Sequence, residues 1–172
     1  MKNLKIFLAL TLLFLTSPLF AQEPVVGVDN PEALFADPDP ALNVNKQAAL
    51  HIMRELLQCN QWDRAGEWLT KPYIQHNPNA KSGLDGVVYF FTQVIKVKRT
   101  DECSKLTLPI VAVIADDAYV TVLTPRTYDD PRTPGQKYST TWFDTWRFVD
   151  GKADEHWDSA LISPPPPPQP KN

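Results

Sequence analysis

Thr140-Thr-Trp-Phe-Asp-Thr-Trp-Arg-Phe-Val-Asp-Gly-Lys-Ala-Asp-Glu-His-Trp-Asp158 decides how this chain is read. Aromatic and β-branched residues alternate with polar ones on both sides of Asp150-Gly151. An Asp-Gly pair between two such runs is a strong short-range hairpin signal. The stretch holds Trp142, Trp146 and Trp157, three of the five tryptophans, and His156, one of three histidines. Two strands are predicted, Tyr138 to Val149 and Lys152 to Leu161.

The register depends on the turn. With Asp150-Gly151 alone as the loop, Val149 pairs with Lys152 and Asp144 faces Trp157. His156 and Asp158 then point away from Asp144. With Val149 counted into a three-residue loop, Phe148 pairs with Lys152, Asp144 lies opposite His156, and Trp142 lies opposite Asp158. The second register gathers Trp142, Asp144, Trp146, His156 and Asp158 on one face, and it is the one expected here.

Upstream, Lys105 to Ala115 and Ala118 to Tyr128 read as strands around Asp116-Asp117. Asp129 to Gln136, with two prolines and a glycine, reads as a long hairpin loop. Before the strands come helices. Ala48, Ala49, Ile52, Met53, Leu56 and Leu57 recur at helical spacing, with Asn43 or Asn45 as cap and an end near Cys59-Asn60. A short second helix is capped by Asp63, buries Ala65, Trp68 and Leu69, and stops at Lys71-Pro72. Tyr73 to Pro78 reads as a short strand. Leu84 to Val97 reads as a third helix whose wide apolar face predicts deep burial. Helices first and strands after predict an α+β domain with helices on one face of an antiparallel sheet.

The ends differ from this core. Residues 1–21 have the basic start, apolar run and small-residue site of a secretory signal, with cleavage expected after Ala21. That places the protein in the periplasm or outside the cell, with no membrane association after cleavage. Residues 22–42 are proline-rich and read as an irregular lead-in. The domain spans 43–162. Residues 163–172 read as a disordered Pro-rich tail.

The formal charge is −3, and removing Lys2 and Lys5 with the leader makes it −5. No basic cluster suits phosphate neutralisation, so nucleic-acid binding is not expected. Cys59 and Cys103 in an exported chain either form a disulfide or stay as two thiols. The disulfide would close a loop of about 45 residues and stabilise by roughly 4 kcal/mol.

The succession of helices, Tyr73-Ile-Gln-His-Asn-Pro78, a further helix, a strand meander and the terminal hairpin resembles the SnoaL-like polyketide cyclase family of the NTF2-like superfamily. The resemblance covers roughly residues 43–162. It implies a cone, with N-terminal helices packed on a strongly curved, mostly antiparallel sheet and a pocket between them. It also implies a small-molecule ligand and no cofactor or metal.

In this family an acidic pocket residue moves the substrate proton, a role that falls on Asp158, with His156 sharing or tuning it. Asp144 matches the place where ketosteroid isomerases hold a protonated, oxyanion-binding Asp. Beside His156 it can equally stay ionised. Asn77 falls where those isomerases carry their base, and an amide cannot act as one. Alternation puts Tyr73, Gln75 and Asn77 on one face, as substrate-binding candidates with Trp142 and Trp146, and His76 on the other. The chemistry implied is proton transfer next to a carbonyl: aldol-type cyclisation, isomerisation or dehydration. Three alternatives remain open. The Asp144–His156 pair could simply brace the hairpin, the domain could be a non-catalytic carrier of an apolar molecule, or it could be an interaction domain forming a homodimer through its sheet.

Overall fold

The computed structural model describes residues 23–162; the expected leader and the Pro-rich tail lie outside the described residues. Three helical segments pack on one curled five-stranded sheet of order β1-β5-β4-β3-β2. The strands are β1 (Leu69–Gln75), β2 (Ala112–Asp116), β3 (Tyr119–Asp129), β4 (Lys137–Val149) and β5 (Lys152–Asp158). Strands β2 to β5 are antiparallel, and β1 joins β5 in parallel. This is the α+β cone expected from the chain. No helix among the described residues is long and apolar enough to cross a membrane.

The first helix, α1, runs over Pro40–His51 and continues as a π-helical turn over Ile52–Gln58. It starts three residues before Asn43. Asp39 is the cap, accepting from the Ala41 N–H at 2.8 Å, and Pro40 takes the first helical position, where its missing N–H costs nothing.

The lead-in is not wholly irregular. Pro31–Phe35 form a 3-10 turn, and Phe35 is fully buried in the core. Val28 N–H donates to the Ile110 carbonyl, and Glu32 accepts from Leu106 N–H. Proline density correctly excluded a long helix there, but it says nothing about whether a short turn packs.

Asp63 does not cap the second helix. It sits inside a 3-10 turn, Trp62–Arg64, that leads into α2 (Ala65–Trp68). Leu69 to Pro72, expected at the end of that helix, instead open β1. Pro72 is tolerated because β1 is an edge strand, where a missing ladder donor does little harm.

The third helix, α3 (Leu84–Tyr89), also widens into a π-helical turn, Phe90–Ile95. It is much less buried than its apolar face suggests: Val87 is buried, whereas Tyr89, Val94 and Ile95 are exposed. Residues 105–111 are not a strand. Pro109 interrupts the ladder, and Leu106 and Ile110 are buried from irregular backbone. Cys59 and Cys103 are joined in a disulfide, Cα–Cα 6.0 Å, which ties the end of the first helix to the segment leading into β2.

The terminal hairpin corrects the expected register. Asp150 (φ 49°) and Gly151 (φ 73°) form a two-residue turn with both residues left-handed, and Val149 pairs with Lys152. Such a turn matches the twist of the strands it joins. On its own it would send His156 and Asp158 to the outer face. A β-bulge prevents this. Phe148 pairs with Ala153 but Arg147 pairs with Glu155, so Asp154 is an extra residue on β5. Arg147 clamps the bulge, donating through Nη2 to Asp154 at 2.5 Å and through Nε to Glu155 at 3.0 Å. Beyond the bulge Asp144 lies opposite Asp158 and Trp146 opposite His156, not the pairs expected. The bulge restores the parity that an extra turn residue would have supplied. The expected face is therefore right and its cause is different.

Candidate functional site

A cavity of about 320 Å³ lies between the helices and the concave face of the sheet. That is at the small end of the roughly 300–1,000 Å³ range of small-molecule sites. Both π-helical turns line it, through Ile52, Met53 and Leu56 from one and Phe90 and Phe91 from the other. A π turn widens the helix and pushes side chains outward, and such turns recur beside functional sites. The sheet supplies most of the polar wall.

Every residue singled out from the sequence for the site reaches this cavity: Tyr73, Gln75, Asn77, Trp142, Asp144, Trp146, His156 and Asp158. Alternation along β1 turns Tyr73 and Gln75 inward. It turns His76 outward, where it bonds Glu155 at 2.8 Å and stacks on Trp157. That pairing, followed by Arg147, holds the Glu155 carboxyl below the usual carboxylate range. His51 is likewise outside the cavity, stacked on Trp68 and bonded to Glu55. Trp62, Thr124, Arg126, Leu108 and Pro109 also line the cavity and were not singled out. Thr124 was within reach, because it alternates with Val120 and Val122 on the inner face of β3. Nothing in the sequence pattern distinguishes Trp62 from an ordinary core tryptophan.

His156 is buried, and both its ring nitrogens face oxygen. Nδ1 is 2.8 Å from Gln75 Oε1, and Nε2 is 3.2 Å from Asp144 Oδ1. The backbone N–H of Asn77 donates to the same Gln75 Oε1 at 2.9 Å, which fixes the amide with its oxygen towards the ring. Nδ1 must therefore carry hydrogen. Nε2 completes the pairing with Asp144 Oδ1 on the neighbouring strand. Asp144 Oδ1 also accepts from Trp142 Nε1 at 3.1 Å. The imidazole is flanked by the Trp146 ring, centroids 5.2 Å apart.

Asp158 has different partners. Asn77 Nδ2 donates to one oxygen at 2.6 Å and the Ala160 N–H to the other at 2.9 Å. Asn77 is itself fixed, because its oxygen accepts from Asn79 N–H. Asn77 thus orients the carboxylate. Tyr73 completes the wall: its hydroxyl accepts from Trp146 Nε1 at 3.3 Å. Burial, with the nearby Asp144 and Asp158 charges, pushes its phenol far above the usual range, so it keeps its proton as a neutral donor. Polar atoms of Asp144, His156 and Asp158 all lie within 4.8 Å of one another. Three such donors could also hold one divalent cation, with Gln75 on the far ring nitrogen as the outer support such a histidine needs.

A helix-covered, curled sheet with a side pocket defines the NTF2-like class. Within it the match is narrower: residues 51–156 fit the SnoaL-like domain family, and the chain belongs to that family. Among solved structures, a candidate polyketide cyclase from Acidithiobacillus ferrooxidans is similar at 16% identity and TM-score 0.50, covering 72% of this chain and 89% of that one. A candidate SnoaL-like polyketide cyclase from Jannaschia sp. CCS1 is similar at 18% identity and TM-score 0.50, covering 76% and 99%. An NTF2-like protein of unknown function from Burkholderia pseudomallei is similar at 18% identity and TM-score 0.48, covering 69% and 91%. These likenesses concern the fold. No curated protein matches the chain.

Proposed function

We propose that the domain binds a largely apolar carbonyl compound and moves a proton on the carbon next to the carbonyl. The observation that carries this reading is the convergence of Asp144, His156 and Asp158 in one apolar cavity, each oriented by a different partner. Asp158 removes the proton: both of its oxygens keep a lone pair after accepting from Asn77 and Ala160. The electron pair released from carbon forms the enolate double bond. The Tyr73 hydroxyl donates to the oxygen where charge develops, and the His156–Asp144 unit supplies the neighbouring proton. Return of the proton to a different carbon is isomerisation; attack of the enolate on a second carbonyl is aldol closure.

Deuterium uptake by 2-tetralone, a bicyclic ketone with acidic positions beside its carbonyl, tests this. Wild-type protein accelerates uptake above the buffer rate, Asp158→Asn removes the acceleration while still binding the ketone, and EDTA changes nothing. Equal uptake by wild type and Asp158→Asn refutes the reading and leaves a carrier. Uptake abolished by EDTA assigns the three donors to a metal.

Export and a second surface belong to the same proposal. The disulfide supports an oxidising compartment, in line with the leader-like residues 1–21. Ile114, Tyr119 and Phe143 are exposed on the convex face of the sheet, which supports pairing of two copies there. Light scattering of the exported protein, with Phe143→Lys as control, reads that outcome.

A further inference from the structure

The arginines of this domain are paired with acids, and Arg126 departs from that rule. Arg54 bonds Glu32, Arg64 bonds Glu55 and Glu67, and Arg99 bonds Asp63 and Asp101. Arg132 bonds Asp130, and Arg147 bonds Asp154 and Glu155. Among the described residues, which hold every Asp and Glu of the chain, Arg126 is left without a carboxylate. It is also the residue that brings a fixed positive charge to the cavity wall, where no lysine stands. Its side chain is exposed, so it lines the mouth rather than the depth. On β3 it lies opposite Thr140, one inward-facing position beyond the Thr124–Trp142 pair. Its guanidinium carbon is 5.5 Å from the centre of the Trp142 ring. That cation–π contact positions the head and leaves its N–H donors free for another partner. Trp142 Nε1 in turn donates to Asp144 at 3.1 Å. One indole therefore separates the free guanidinium from the proton-transfer group.

We propose that Arg126 binds a carboxylate of the ligand, and that the ligand is a keto acid. Its reacting carbonyl lies at the Asp158–His156 end, an apolar ring body fills the cavity, and the acid group sits at the mouth. The planar fork of a guanidinium matches the two oxygens of a carboxylate, which a lysine would meet only as a point charge. Asp144 and Asp158 repel an acid group from the inner end, so the ligand enters in one orientation. That orientation is the one that presents the carbonyl to the proton-transfer cluster. At the exposed mouth the carboxylate keeps part of its water, and binding avoids the cost of burying a full charge. The Trp142 ring, held between Arg126 and Asp144, offers the flat apolar wall against which the ring body rests.

This rests on the proton-transfer reading for the identity of the inner end, but the Arg126 contact is testable apart from it. The probes are 6-carboxy-2-tetralone and the corresponding 6-carboxamide. Both carry a planar group remote from the ketone, and they differ in charge. In calorimetric titration at neutral pH and low salt, the acid binds the wild type about tenfold tighter than the amide, the effect of a charge-assisted bond at a solvent-facing site. Added salt shrinks that ratio, because the pair is exposed. Arg126→Gln brings the two affinities together. Arg126→Lys, which keeps the charge and loses the fork, retains part of the difference. Equal affinities in the wild type, an unchanged ratio in Arg126→Gln, or binding of neither probe overturns the proposal. If the acid preference needs Arg126 but deuterium uptake ignores Asp158→Asn, the anchor stands and the catalytic reading falls. If uptake by 2-tetralone needs Asp158 and the two probes bind alike, the catalytic reading stands and the anchor falls.

Discussion

Replacing Gln75 by leucine removes the amide oxygen and nitrogen at little change in volume, and its effect on His156 follows from the local bonding. Gln75 Oε1 accepts from His156 Nδ1 at 2.8 Å and from Asn77 N–H at 2.9 Å. Asn77 is at the end of β1, where water can replace the lost acceptor. His156 is 6% exposed, and its Nδ1–H has no such substitute. Leaving a buried donor unpaired costs roughly 1–3 kcal/mol. At 1.4 kcal/mol per factor of ten, a loss of about 2 kcal/mol turns the tautomer ratio against the Nδ1–H form by about thirtyfold. The ring hydrogen then sits on Nε2, donated to Asp144. Long-range ¹H–¹⁵N correlation of the histidine rings reads this directly. Wild-type His156 shows a protonated Nδ1; Gln75→Leu shows it bare with Nε2 protonated. Proton transfer to a bound ketone falls by roughly an order of magnitude with little change in binding, since the carbonyl oxygen is held elsewhere. An unchanged ring pattern in the variant would refute the claim that Gln75 sets the tautomer.

Three further outcomes follow from the packing and charge. Phe35→Ala lowers unfolding free energy by about 3–5 kcal/mol in urea titration, because a fully buried ring is lost from the core; a loss below about 1 kcal/mol would place the lead-in outside the fold. Cys59→Ser with Cys103→Ser opens a loop spanning 44 positions and lowers stability by up to about 4 kcal/mol, while the cavity residues keep their contacts in NOE spectra. Glu55 is buried, which alone would raise its pKa, but hydrogen bonds from His51 and Trp68 and the Arg64 charge hold it below the usual range. A depressed carboxyl stabilises the fold above its unfolded pKa, and that stabilisation is lost as pH falls through the folded value. Thermal midpoints therefore drop on acidification below about pH 4.5, and Glu55→Gln flattens that drop.

The alternation of Trp142, Asp144 and Trp146 against Thr141, Phe143 and Thr145 placed one set in the cavity without further information, and Tyr73, Gln75 and Asn77 followed by the same rule. The helical period of Ala48 to Leu57 was equally plain. What escaped was set by pairing between strands. Nothing around Asp154 marks it as an extra residue; the bulge is held by Arg147 on the neighbouring strand β4, which bonds the carboxylates of both Asp154 and Glu155. Pro72 looked like a helix stop because its edge position depends on which strands pair. The apolar run of Leu84 to Ile95 suggested burial, yet part of that face lines a cavity and part is exposed, and hydrophobic period cannot separate those surroundings. The Asp39-Pro40 start of α1 was legible as a cap followed by proline at the first helical position, and was outweighed by the apolar period that begins later.

The proposals for the cavity all depend on which way β5 faces beyond its bulge, and NOE contacts to the His156 ring measure that directly. Cross-peaks are expected from the His156 ring to Trp146, whose centroid is 5.2 Å away, and from Trp157 to His76 at 5.0 Å on the opposite face. Contacts from His156 to Tyr119 or Phe143, with Trp157 against Trp146 instead, would put the proposed acid/base group on the outside of the sheet and rule out its role in the cavity.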